Sequence, residues 1–122
     1  MISYEKLISR ELPIAVVGLG YVGLPLAVAL SRHFRVVGFD VSPARVAELT
    51  QGRDSTGEVG TEELADSSVE YTSDPQSLSS AGLVIVAVPA PIDEHRRPDL
   101  KPIVNASIAV GKRLAAGGIV VY

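Results

Sequence analysis

The chain is predicted to fold as an α/β domain, a doubly wound parallel sheet in three layers. Three observations carry this. Short β-branched runs alternate with helical segments along the whole sequence. Leu83-Val-Ile-Val-Ala-Val88 is apolar at every position, the habit of a central strand in a parallel sheet covered on both faces. Gly18-Leu-Gly20-Tyr-Val-Gly23 stands where the first strand gives way to the first amphipathic helix.

The elements follow in order. Pro13–Val17 reads as a buried strand that stops at Gly18. Val22, Leu26, Ala29 and Leu30 recur at helical spacing and are expected to face inward. Phe34–Asp40 is a second strand. Ser42-Pro43 opens a helix, with Ser as N-cap and Pro in the first turn. Val46 and Leu49 face the core from it, and Gly52 ends it. Thr61–Ala65 reads as a short helix, Val69–Thr72 as a short strand, and Asp74-Pro75 as another helix start. The strand Leu83–Val88 leads into a Pro-broken polar loop, Pro89–Pro98. Asp99 caps a helix carrying Ile103, Ala106, Val110 and Leu114. Gly117-Gly118 stops it, and Ile119–Tyr122 begins a further strand. A chain ending inside a strand is expected to be the front of a longer protein.

Composition bounds the rest. The 122 residues suit one domain, here 1–122, and 47% hydrophobic with 20% charged is a globular balance. The net charge of −3 shows no basic stripe, so no nucleic-acid partner is expected. With no cysteine there is no disulfide framework, thiolate metal site or cysteine nucleophile. No secretory leader and no membrane-length apolar run is evident, and a cytoplasmic setting is expected.

The glycine string carries the chemistry. Gly18 permits a tight turn, Gly20 lets the backbone approach a pyrophosphate, and Gly23 lets the helix pack against the strand. The helix N-terminus that follows offers unpaired N–H groups and partial positive charge to phosphates. Asp40 ends the second strand, 22 residues beyond Gly18. That is the place of a carboxylate that binds an adenosine ribose and repels a 2′-phosphate, so NAD is expected over NADP. Arg45 leaves three readings open: it holds a 2′-phosphate, lies along the adenosine, or faces solvent. Val88, Pro89 and Ala90, at the tip of the strand beside the first, are placed to line the cofactor across the switch point. His33 reads as a helix C-terminal residue. Asp93-Glu94-His95 are consecutive loop residues that do not converge on a metal, and Arg96-Arg97 read as solvated. No complete catalytic set is visible; the cofactor half is present without a substrate half.

The string Gly18–Ala27, then Gly38-Phe39-Asp40, then Val88-Pro-Ala-Pro-Ile92 and Pro98-Asp-Leu100, resembles the UDP-glucose/GDP-mannose dehydrogenase family. The likeness is greatest to the UDP-N-acetylhexosamine 6-dehydrogenases of the Vi-polysaccharide type. It implies a Rossmann-fold NAD-binding domain, followed in the family by a helical dimerisation region and a C-terminal domain with a catalytic cysteine. It implies oxidation of a sugar C6 hydroxyl to a carboxylate in two NAD-dependent steps, in a homodimer, for surface-polysaccharide synthesis. Carried onto this chain, Gly18, Gly20, Tyr21, Val22 and Gly23 meet the pyrophosphate, Asp40 the ribose, and Arg45 lies beside the adenosine. Ala90 departs from the family pattern, which has Thr between the two prolines. This chain alone is expected to bind NAD without turning over. Two other readings are an NAD(H)-sensing module without catalysis and another NAD-dependent hydroxy-acid or 3-hydroxyacyl dehydrogenase; Val88–Pro91 and Pro98–Leu100 argue against the latter.

Overall fold

The computed structural model describes residues 4–87 and the strand 119–121. The elements run α1 (Tyr4–Ile8), β1 (Ile14–Val17), α2 (Gly23–Leu30), β2 (Val36–Phe39), α3 (Pro43–Thr50), α4 (Thr61–Asp66), β3 (Glu70–Thr72), a 3-10 helix (Pro75–Ser80), β4 (Leu83–Val86) and β5 (Ile119–Val121). The strands form one sheet in the order β3-β2-β1-β4-β5, and every pairing is parallel. The order reverses between β1 and β4. A crevice at the carboxyl ends of these strands is where such sheets bind ligands.

β1 is the centre of the molecule. Ile14, Ala15, Val16 and Val17 are at most 2% exposed, because parallel neighbours and side-chain layers cover both faces. Alternation along the strands divides the core. Ala15, Val17, Phe39, Val84 and Val86 pack with Leu78 and Ala81 on one face. Val16 and Val36 pack on the other with Leu24, Ala27 and Val28 of α2, Leu49 of α3, and Leu64 of α4. Full burial of each large side chain stabilises by about 1.5–3 kcal/mol relative to exposure. On β4, Val84 and Val86 are buried while Leu83 and Ile85 are half-buried, so its two faces are covered unequally.

The caps form as the sequence predicts. Ser42 Oγ accepts from the Arg45 N–H (3.2 Å) to start α3. The Asp74 carboxylate accepts from the Gln76 N–H (3.0 Å), and the segment it opens is 3-10. The single-turn α1 carries no sequence signal of its own.

One expectation is corrected. The inward face of α2 is Gly23, Leu24, Ala27 and Val28, with Leu30 partly packed, and not the stripe through Val22, Leu26 and Ala29. Val22 is 69% exposed. The helix sequence GLPLAVAL is apolar all round, so periodicity sets no phase. Gly23 sets it: a Cβ there would stand 1.7 Å from the Gly18 carbonyl oxygen, so only glycine can face the β1 exit.

Candidate functional site

Backbone hydrogen bonds lock the carboxyl ends of the strands together. The Gly18 N–H donates to the Phe39 carbonyl (2.8 Å), the Asp40 N–H to Thr72 (3.1 Å), and the Ala87 N–H to Val17 (2.7 Å). On this platform Gly18 turns the chain out of β1 with φ +100°, a conformation that favours glycine. The peptide groups of Leu19 are then held from two sides. Its N–H donates to Asp40 Oδ2 (3.0 Å), and its carbonyl accepts from Arg45 Nε (2.8 Å). Asp40 Oδ1 accepts from the Ser42 N–H (2.9 Å), which fixes the turn into α3. The Leu19 side chain is fully buried and reaches toward Gly38, where an added Cβ would lie 3.0 Å from its Cδ2.

The turn so held presents an open surface. A Cβ built at Gly20 would meet no heavy atom within 4 Å. Among the described residues, the N–H groups of Gly20, Tyr21 and Val22 find no acceptor. Tyr21 (68%) and Val22 (69%) are exposed beside them, and Val41, next to Asp40, is 82% exposed. Unpaired donors at a helix N-terminus with room above them fit a pyrophosphate, and the exposed apolar rim fits a nucleoside.

Arg45 anchors this end of the sheet. Its Nη1 donates to Glu48 Oε1 (2.8 Å) and Asp54 Oδ1 (2.9 Å). Its side chain is 13% exposed, which overturns the solvent-facing reading. Asp54 in turn gathers the segment after α3, accepting from the N–H groups of Thr56, Glu58 and Val59 and from the Thr56 hydroxyl. Burial works to raise the Asp54 pKa. The hydrogen bonds from Thr56, Val59 and Arg45 together outweigh it and hold the carboxyl at about 2. Glu48 also lies below the ordinary carboxylate range, chiefly through the Ser55 N–H it accepts (2.6 Å), with Arg45 adding to the effect.

Gly18, Gly20, Tyr21, Val22, Gly23, Asp40 and Arg45 thus meet at one end of the sheet. Val88, Pro89 and Ala90 lie outside the described residues. The Arg45–Asp54 contact escapes a reading by motif, although Asp54-Ser-Thr-Gly57 has the look of an Asx turn.

A parallel sheet with a glycine turn, a free helix N-terminus and an acid ending the second strand defines a dinucleotide-binding domain of the Rossmann class. The particular family is equally clear. The chain belongs to the UDP-glucose/GDP-mannose dehydrogenase family, matching its NAD binding domain over residues 12–122, and NAD is the cofactor of that domain. A relative, the UDP-N-acetyl-D-glucosamine 6-dehydrogenase of Pseudomonas aeruginosa, is 53% identical over 93% of this chain and 27% of its own length. The enzyme of the same name from Salmonella typhi is 44% identical over 92% of this chain and 27% of its own length. Among solved structures, the UDP-D-ManNAc dehydrogenase of Pyrococcus horikoshii superposes with a TM-score of 0.79 at 27% identity, covering 89% of this chain and 27% of that one. The chain spans about a quarter of the length of these relatives.

Proposed function

We propose that residues 1–122 form the NAD-binding domain of a dehydrogenase that oxidises the C6 hydroxyl of a UDP-N-acetylhexosamine to the uronic acid, for surface-polysaccharide synthesis. The observation that carries the binding half is the glycine turn, clamped at Leu19 with open space at Gly20. The relatives' names supply the substrate class. Bound NAD provides the hydride acceptor. The chain's own residues bind and orient it: the backbone of Gly18–Gly23 receives the pyrophosphate, Asp40 accepts from the ribose hydroxyls, and Arg45 braces the turn beside the adenosine. Asp40 uses one lone pair of each oxygen on Leu19 and Ser42, so each oxygen keeps acceptor capacity for a hydroxyl. The UDP-sugar binds to further parts of the protein, which works as a cytoplasmic homodimer.

The test is NADH formation by the protein carrying this chain when UDP-N-acetylglucosamine, UDP-N-acetylgalactosamine and UDP-glucose are supplied in turn. An acetylated UDP-hexosamine is expected to give NADH and the uronic acid, and UDP-glucose much less. Turnover of UDP-glucose alone, or of none of the three, overturns the substrate assignment.

A further inference from the structure

Arg45 lies in the first turn of α3, just beyond β2, in the stretch where dinucleotide-binding domains can carry an arginine that accepts a 2′-phosphate. Here Nε and Nη1 are already committed, and Nη2 is buried with no hydrogen-bond partner among the described residues. Nε is on the Leu19 carbonyl, and Nη1 is shared between Glu48 and Asp54 at 2.8 and 2.9 Å. The Asp54 side chain is 0% exposed, and its other hydrogen bonds come from the segment that closes over α3. Turning Arg45 toward a phosphate strands a fully buried carboxylate without its cation, which folded proteins strongly disfavour. The sum of the nearby charges is also unfavourable to an anion, since one guanidinium is shared by Glu48 and Asp54, and Asp40 holds the N–H of the same Leu19 whose carbonyl Arg45 holds.

We propose that Asp54, acting with Glu48, is a specificity-determining positioning residue. The two carboxylates hold the Arg45 guanidinium on the carbonyl of Leu19, where it fixes the glycine turn and is withheld from a 2′-phosphate. Discrimination against NADP then rests on two devices: the direct repulsion by Asp40 and the sequestration of Arg45. The inference rests on the dinucleotide-binding reading and goes beyond it by naming residues that touch no part of the cofactor. The low Asp54 pKa agrees, keeping the carboxylate charged throughout the working pH range.

The test compares wild type, Glu48→Gln, Asp54→Asn and the double variant by calorimetric titration with NAD and with NADP, alongside circular dichroism to establish folding. Asp54→Asn removes the charge and keeps one of the two acceptor oxygens, with its amide nitrogen facing N–H donors on the other side, so its folding is checked first. The ratio of NAD to NADP affinity is expected to fall about tenfold in the double variant, roughly one freed charge-assisted contact, with NADP affinity rising in absolute terms. A purely structural role lowers both affinities together and leaves the ratio unchanged; that result in a folded variant overturns the inference. Should Asp54→Asn fail to fold, Glu48→Gln carries the test alone, since its side chain is 26% exposed. Its expected shift is about threefold in the same direction, as one of two partners is removed, and an unchanged ratio counts against the inference equally. Wild-type protein that binds neither nucleotide overturns the underlying reading and this inference together. Wild type that binds NAD, with variants that keep its ratio, overturns this inference alone.

Discussion

Gly20 and Gly23 lie three residues apart in one motif, and the structure assigns them opposite sensitivities to a single methyl group. At Gly20 the added Cβ meets nothing within 4 Å, and its φ lies outside the left-handed region, so alanine fits the backbone as it stands. Stability should change by no more than ~0.5 kcal/mol, with a small gain from restricting the unfolded chain equally compatible. The methyl instead occupies the space through which phosphate oxygens reach the loop N–H groups. Charge-assisted N–H···O contacts need about 2.7–2.9 Å, whereas a methyl carbon holds an atom off at about 3.5 Å. Losing one such hydrogen bond costs about 1.5–3 kcal/mol, or roughly 10–150-fold in Kd. At Gly23 the same methyl lands 1.7 Å from the Gly18 oxygen and 2.8 Å from its carbonyl carbon. Those are backbone atoms of a turn whose N–H is tied to Phe39, so nothing flexible can yield. Gly23→Ala should cost about 3 kcal/mol or more, a large share of a typical domain's stability. Urea unfolding followed by circular dichroism, paired with NAD titration, separates the two. A Gly20→Ala variant that binds NAD as well as wild type, or a Gly23→Ala variant as stable as wild type, refutes the reasoning.

Other expectations follow from the same geometry. Asp40→Ala should weaken NAD by about 1–3 kcal/mol through loss of charged hydrogen bonds, and Asp40→Asn by less because one oxygen still receives Leu19; equal affinity in all three proteins sinks the ribose assignment. Gly38→Ala places a methyl 3.0–3.2 Å from Leu19, Val69 and Tyr71 and should destabilise by about 1–3 kcal/mol in a thermal melt, with no loss meaning that the neighbours yield freely. Asp54 has a folded pKa of about 2, below its ordinary value of 3.8. Its stabilising contribution is therefore complete above about pH 4 and disappears as pH falls through about 2. The size is about 2 kcal/mol, and Asp54→Asn should flatten stability against pH over that window. A variant whose acid unfolding profile matches wild type contradicts the assignment.

The glycine turn and Asp40 were legible because each lies within a few residues of an element the sequence marks clearly. Ser42-Pro43 and Asp74-Pro75 announced their turns for the same reason, since capping is local chemistry. The phase of α2 was not legible, because a helix apolar on every side is oriented by its closest backbone contact, here Gly23 against Gly18. Nor was the role of Arg45. Its contact with Asp54 depends on how the chain from Gly52 to Gly60 folds back across α3, and spacing along the chain does not encode that path. The sequence readings of Asp40 and Arg45 as cofactor contacts also passed over what the structure adds: both residues hold the peptide groups of Leu19 and so shape the turn itself.

The most direct test is calorimetric titration of the folded chain with NAD and, separately, with NADP. NAD is expected to bind at one site per chain and NADP at least about tenfold more weakly, as the proposed pairing of Asp40 with the ribose 2′ hydroxyl requires. NADP binding as tightly as NAD, or neither nucleotide binding to a chain shown to be folded, would contradict it.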